Sequence, residues 1–274
     1  MKLLDGKKLS EKILTNLKKE IKKSNLKLRL AVVQVGENSV SQIFINQKKK
    51  ACEKVGINFR LFKFPVKVSA PKLKKEIKKI VRNLANPGII IQLPLPKKFL
   101  PEEFLNLILE KKDIDVLSEE SLGKFYQGTL KILPPTVNGI LRLLKNYKIE
   151  LKGKDVVVIG AGRLVGFPLA IQLLKEKATL SVLNEFTKDA LSFTKKANIL
   201  ISGVGRPNLI KSKMVKRGVV IIDAGSAMKK GKLVGDVDFK SIGQKASYIT
   251  PVPGGVGPMT VACLLENLVK LSKR

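Results

Sequence analysis

The sequence predicts an α/β protein of two domains, the second built on a doubly wound parallel sheet. Three observations carry that expectation. Short apolar runs alternate with helix-sized segments along the chain, which suits crossover helices over parallel strands. Hairpin signals are scarce. The runs of the second half, such as Asp155-Val156-Val157-Val158-Ile159, are unbroken, as in strands buried on both faces. A chain of 274 residues has room for two such units.

The elements follow in order. Ile13, Leu14, Leu17 and Ile21 share one face of a helix expected over about 9–23, among lysines and acids. So interrupted, this stretch is not a signal peptide, and no run approaches the ~20 apolar residues of a membrane span. Leu30–Val35 reads as a strand, Ser39–Val55 as a helix, 58–64 as a strand and 72–84, after Pro71, as a lysine-rich helix. The run Ile89–Leu93 is the next strand, and a helix opens at Pro101. A second unit starts near 138 with a helix from Gly139 to Tyr147. Strands at 155–159, 179–183, 198–202 and 219–223 follow, each separated by a helix-sized segment, a spacing that suits a nucleotide-binding sheet. Pro251–Pro258 is a loop dense in Pro and Gly, and it hands over to a last helix, Thr260–Leu271.

Composition excludes several chemistries. There is no His, which removes Ser-His-Asp and Cys-His catalysis and every His-ligated metal. Two cysteines, Cys52 and Cys263, are too few for a structural zinc and suit a reduced, cytoplasmic protein, so no metal site is expected. Lys+Arg 53 against Asp+Glu 22 gives a net charge of +31, which invites a nucleic-acid reading. Only eight of those cations are Arg, however, and aromatics are 5%, whereas nucleic-acid surfaces lean on Arg forks and stacked rings. The expectation is a solvated lysine coat that draws in anionic small molecules.

The strongest local motif is Gly160-Ala161-Gly162-Arg163-Leu164-Val165-Gly166, which follows a strand and opens a helix. Its glycines permit a tight turn and close backbone approach to a diphosphate, and the helix N-terminus supplies partial positive charge. Glu185, at the end of the next strand, is placed to accept hydrogen bonds from a ribose diol and to repel a 2′-phosphate. An exposed loop acid is the competing reading. In the first unit Phe44 and Lys48 lie four apart and share a helix face, Gln92 ends an apolar strand, and Lys112-Asp113-Ile114-Asp115 sets a carboxylate after a helix. Read singly, each is as ordinary as any structural residue.

Read together, these segments resemble one family over almost the whole chain, the bifunctional methylenetetrahydrofolate dehydrogenase/methenyltetrahydrofolate cyclohydrolases. The resemblance rests on Ser41-Gln-Ile-Phe44-Ile-Asn-Gln-Lys48 with its continuation to Gly56, on Ile91-Gln92-Leu-Pro-Leu-Pro96 and on Lys112-Asp-Ile-Asp115. It extends through Val204-Gly205-Arg206-Pro207, Gly235-Asp-Val-Asp-Phe239 and Tyr248-Ile-Thr-Pro-Val-Pro-Gly-Gly-Val-Gly-Pro-Met-Thr260.

The resemblance implies an N-terminal α/β catalytic, folate-binding domain over 1–137, completed by a C-terminal helix 257–274. A Rossmann-type NAD(P)-binding domain spans 138–256, with a cleft between the two. It implies oxidation of 5,10-methylenetetrahydrofolate, hydrolysis of the methenyl product to 10-formyltetrahydrofolate, a cytoplasmic homodimer and a place in one-carbon metabolism and purine biosynthesis. Substrates would be tetrahydrofolate one-carbon derivatives, polyglutamylated forms included, with neither nucleic acid nor membrane as a partner. Lys48 takes the place of the catalytic lysine, Gln92 of its partner and Asp115 of the pterin anchor; Phe44, Pro253, Gly254 and Gly255 fall in the substrate site. Gly160, Ala161, Gly162, Arg163, Gly166, Glu185 and Ser226 make the cofactor set.

The chain departs from the family pattern in places. Phe44 replaces the usual tyrosine, and Val116 a glycine, which is expected to reshape that turn. Pro134-Pro-Thr136-Val137 stands for Pro-Cys-Thr-Pro. Ala161-Gly162 and Asn184-Glu185 lack the basic and hydroxyl groups that hold a 2′-phosphate. NADP is the family default, and these changes point to NAD. A drifted cofactor turn leaves a cyclohydrolase-only enzyme as the alternative.

Overall fold

The computed structural model describes residues 1–273, so Arg274, the last residue of the expected C-terminal helix, lies outside the described residues. The chain divides into two compact units, Met1–Ser10 with Thr136–Thr260, and Glu11–Pro135 with Val261 onward. The first ten residues therefore belong with the second half, not with the expected 1–137 domain. The cause is β1 (Lys2–Leu3), which pairs in parallel with β11 (Ala246–Ile249), Lys2 opposite Tyr248 and Leu3 opposite Ile249. Helix α1 (Gly6–Lys23) leads onward from this strand.

The smaller sheet holds three parallel strands in the order β3-β2-β4, formed by β2 (Arg29–Val35), β3 (Asn58–Phe64) and β4 (Gly88–Ile91). Its centre, β2, is buried from Leu30 to Val35, as its unbroken apolar run requires. Helices α2 (Ser39–Val55) and α3 (Ala70–Arg82) are the crossovers. The Asn38 side chain accepts from Ser41 N at 2.9 Å and so starts α2 at the predicted residue. Leu73, Ile77, Ile80 and Val81 make the buried stripe of α3, with its lysines on the other face. The helix expected at Pro101 is one turn only, α4 (Glu102–Leu105), whose Phe104 and Leu105 join the core of this unit. Helix α5 (Glu119–Gln127) had no counterpart in the sequence reading.

The larger sheet has six parallel strands in the order β1-β11-β8-β7-β5-β6. They include β5 (Asp155–Ile159), β6 (Thr179–Leu183), β7 (Ile199–Ser202) and β8 (Val219–Asp223), close to the expected spans. From β5 the chain steps to β6 on one side, then returns to β7 on the other. That reversal is a topological switch point, where ligands bind at the carboxyl ends of doubly wound sheets. Helix α6 (Pro135–Asn146) precedes β5 and starts four residues before the expected Gly139, since proline is well placed in a first turn. Helices α7 (Gly166–Lys175), α8 (Ala190–Lys196) and α9 (Phe239–Ile242) and a hairpin of β9 (Ala227–Lys229) and β10 (Lys232–Val234) complete the unit. Helix α10 begins at Val256 and runs to Ser272, so Gly257 and Pro258 form its first turn and not the end of the preceding loop. Among the described residues no helix is long and apolar enough to cross a membrane.

Candidate functional site

The smaller sheet brings three of the predicted residues together. Helix α2 carries Lys48 on its buried face, and its Nζ donates to Gln92 Oε1 at 2.8 Å. Gln92 extends β4, its N–H donating to Val33 O at 2.8 Å, so the ladder fixes where its side chain starts. Its Nε2 donates to Leu93 O at 2.9 Å, which leaves Oε1 facing the amine. Ser41 Oγ donates to the same Leu93 carbonyl at 3.1 Å and ties the head of α2 to the strand end. Phe44, half-buried, lies one turn before Lys48.

Asp115 reaches the cluster through a braced turn. Buried Lys112 donates to Val81 O at 2.7 Å and Asn83 O at 2.9 Å, which closes the C-terminal end of α3. Asp113, 1% exposed, accepts from Leu117 N at 3.0 Å and Ser118 N at 2.9 Å. The Lys112-Asp113 half of the motif is thus architectural, and it presents Asp115 next. Val116 follows at φ +59° and is fully buried. A β-branched side chain is held in the left-handed region that glycine takes freely, a strain of about 1–3 kcal/mol sustained by its packing.

Electrostatics follow from burial. Desolvation holds the Lys48 amine below its usual range, against the opposing charge of Asp115. Lys49 and Lys50 follow Lys48 directly on α2. Both are exposed, and burial alone provides the depression. Burial likewise pushes the Asp115 carboxyl up to about 6, with Lys48 pulling it down and Asp113 adding to the rise. Cys52, one turn beyond Lys48, has its thiol raised to about 12 by burial, so it is an inert neighbour. The cluster therefore offers an amine that sheds its proton unusually easily, an amide that orients it, and a carboxylate largely ionised at neutral pH.

The second group of predicted residues lies at the switch point of the larger sheet. Gly160 takes φ +94°, and its N–H donates to Leu183 O at 2.8 Å, which sets the ends of β5 and β6 side by side. A Cβ on Gly166 would collide with the Gly160 carbonyl, so the start of α7 presses directly on the turn. Ala161 to Leu164 face solvent, Arg163 among them, and no side chain caps the first turn of α7. Backbone close approach at an uncapped helix N-terminus is what a diphosphate needs. Glu185 is exposed in the turn after β6, where Asn184 Oδ1 accepts from Phe186 N at 3.0 Å. Ser226 follows β8, and its carbonyl lies 3.4 Å from the place of a Cβ on Gly205.

Pro253, Gly254 and Gly255 sit in the loop between β11 and α10, within the unit of the larger sheet. Gly254 has φ +114°, and its carbonyl accepts from Lys7 N at 2.8 Å at the start of α1. Sequence reasoning missed Asp223 and Asp236, two buried acids at the carboxyl edge of the larger sheet.

Comparison with known proteins covers the whole chain. The family model described as tetrahydrofolate dehydrogenase/cyclohydrolase, catalytic domain, matches residues 4–115, and the corresponding NAD(P)-binding domain model matches 134–274. The chain is 45% identical over 277 residues to the bifunctional protein FolD of Nautilia profundicola, covering 100% of this chain and 98% of that one. It is 47% identical over 277 residues to the Aquifex aeolicus FolD, covering 99% and 95% of the two chains. The crystal structure of the bifunctional FolD methylenetetrahydrofolate dehydrogenase/cyclohydrolase from Campylobacter jejuni superposes with a TM-score of 0.93 at 43% identity, covering 100% of this chain and 99% of that chain. The Trypanosoma brucei enzyme, solved with NADP cofactor and inhibitor, gives a TM-score of 0.93 at 31% identity, covering 98% and 96%.

Proposed function

The chain belongs to the tetrahydrofolate dehydrogenase/cyclohydrolase family, and on that premise we propose that it oxidises 5,10-methylenetetrahydrofolate to the methenyl derivative and hydrolyses that to 10-formyltetrahydrofolate. One observation carries the reading: the buried amine of Lys48, depressed in pKa, donates to Gln92 Oε1 at 2.8 Å within electrostatic reach of Asp115. NAD(P)+, bound by Gly160, Gly162, Gly166 and Ser226, would supply the hydride acceptor.

Loss of hydride leaves a cationic bridge on the folate; water adds to that carbon, and the carbon–N5 bond then breaks, N5 taking a proton, so that the ring opens to the 10-formyl product. Lys48 accepts the proton of the attacking water at Nζ, because a neutral amine can keep one N–H on Gln92 and still present its lone pair. Gln92 orients the amine without competing for the proton. Asp115 accepts from the amino and ring N–H donors of the pterin, a pairing that needs the carboxylate form. Phe44 stacks on the flat ring system without the hydroxyl of a tyrosine.

For the cofactor we propose a preference for NAD over NADP. Glu185 follows β6 beside the Gly160 turn, and neither Ala161 nor Gly162 offers a group to hold a 2′-phosphate. We further propose that the enzyme works as a homodimer in the cytoplasm and feeds one-carbon units to purine synthesis. Phe167 and Leu174 on α7 and Val182 on edge strand β6 are large apolar side chains left exposed, which supports a second copy there.

The test is a purified-protein assay with methylenetetrahydrofolate and either NAD or NADP, followed by the methenyl absorbance. The proposal expects that absorbance to rise and then decay as the product is hydrolysed. Hydrolysis of added methenyl substrate with no oxidation by either dinucleotide would leave the cyclohydrolase alone.

A further inference from the structure

We infer that Asp236 is a positioning residue for the dinucleotide, fixing the loop after β7 against the Gly160 turn through its buried carboxylate. The inference rests on the reading that this turn holds a dinucleotide. Asp236 is 0% exposed, and its carboxylate is spent on one loop. Oδ2 accepts from Ser202 Oγ at 2.7 Å and Val204 N at 2.8 Å, and Oδ1 from Arg206 N at 2.7 Å. Three short bonds to one carboxylate define the path of residues 202–206, which leave the sheet at the switch point.

That loop touches the cofactor turn directly. Gly203 N donates to Ile159 O at 3.1 Å, and Val204 Cγ2 and Gly203 O lie 3.0 and 3.4 Å from the place of a Cβ on Gly160. A Cβ on Gly203 would meet Val165 Cγ1 at 2.8 Å, so the loop also abuts the residue before α7.

Asp236 is itself held. Asp223, ending β8, accepts from Asp236 N at 3.1 Å, Val237 N at 2.9 Å and Gly225 N at 3.0 Å. The carboxyl of Asp236 fills the space a side chain on Gly225 would need, and that of Asp223 the space at Gly235. Two buried acids interlock the loops after β7 and β8, and Ser226 lies on the second. A pair of carboxylates is a costly way to brace a fold, since each needs its full set of donors. Their use at this edge fits a demand for a fixed backbone where a ligand packs.

Asp236→Asn tests the idea, because it keeps the shape while turning one acceptor into a donor that faces a donor. The readouts, on the full chain, are the dissociation constant for NADH and NADPH by fluorescence and the hydrolysis of added methenyltetrahydrofolate, a step that uses no dinucleotide. We expect dinucleotide binding weaker by ten-fold or more and hydrolysis within two-fold of the parent. Unchanged dinucleotide binding would overturn the inference, as would equal losses in both readouts, which mark general unfolding. Should Asp236→Asn fail to fold, Ser202→Ala removes one donor and is expected to weaken the dinucleotide two- to five-fold with hydrolysis intact; no change there also overturns it. A parent chain that binds neither dinucleotide removes the reading beneath the inference, a failure distinct from that of the variants.

Discussion

At Lys48 the chemistry lies in side chains that are buried and bonded to one another, whereas at Gly160 it lies in a backbone turn whose side chains, Ala161 to Leu164, face solvent. The first arrangement changes what a side chain is. Removed from water, the amine loses its proton more readily and the carboxyl of Asp115 holds its own longer. The second arrangement leaves every side chain ordinary and works through shape. The contrast teaches where substitutions matter: at the first site side-chain identity sets the chemistry, while at the second backbone shape comes first.

The sharpest way to break this comparison is Lys48→Met, which keeps the apolar stem and deletes the base. Cyclohydrolysis should fall by about 10²–10⁴-fold with folate binding retained, the range for loss of a general base. Activity within a few-fold of the parent would show that the buried amine is not the acceptor.

Asp115→Ala comes next. Leaving pterin donors unpaired costs about 1–3 kcal/mol, a loss of roughly 5- to 150-fold in folate affinity by calorimetry. In the parent, affinity should fall as pH drops through about 6, because the protonated acid cannot accept both bonds. Stability runs the other way. Between its ordinary 3.8 and about 6 the folded chain holds a proton that the unfolded chain has released, so ionisation of Asp115 weighs against folding as pH rises through that window. Denaturant titrations of Asp115→Asn should lack that component.

At the exposed site the expected effect is smaller. Glu185→Ser should raise the NADP-to-NAD ratio of catalytic efficiencies about five-fold, since an exposed like-charge contact costs ~1 kcal/mol. An unchanged ratio would assign the choice to Arg163 or another cation of the turn.

The smallest effect concerns Val116. Both Val116→Ala and Val116→Gly lose the buried side chain, yet only glycine relieves the left-handed strain. Thermal unfolding should therefore rank Val116→Gly above Val116→Ala by about 1 kcal/mol, against the usual order of these residues.

Legibility in the sequence divides along the same line. Runs such as Leu30–Val35 and Asp155–Ile159 announced buried strands because a strand covered on both faces must be continuously apolar. Strand β1 could not be seen, for Lys2-Leu3 has no pattern of its own and becomes a strand only by pairing with β11. The β9–β10 hairpin was hidden by strands of three residues, although Lys230 at φ +49° and Gly231 at φ +72° make a hairpin turn. The glycine turn was readable from spacing, since its physics is backbone. Lys48 was not, among so many lysines; only resemblance singled it out, and burial is what sets it apart from Lys49 and Lys50. Asp223 and Asp236 went unassigned because a buried acid looks like an exposed one until its donors are known.

The most direct test of the account is an NMR titration of the Lys48 ζ-nitrogen in lysine-labelled protein, assigned by comparison with Lys48→Met. The account predicts titration clearly below the ordinary lysine value of 10.5, and lower still in Asp115→Asn, where the stabilising carboxylate is gone. A Lys48 that titrates with the surface lysines, unmoved by that substitution, would contradict it.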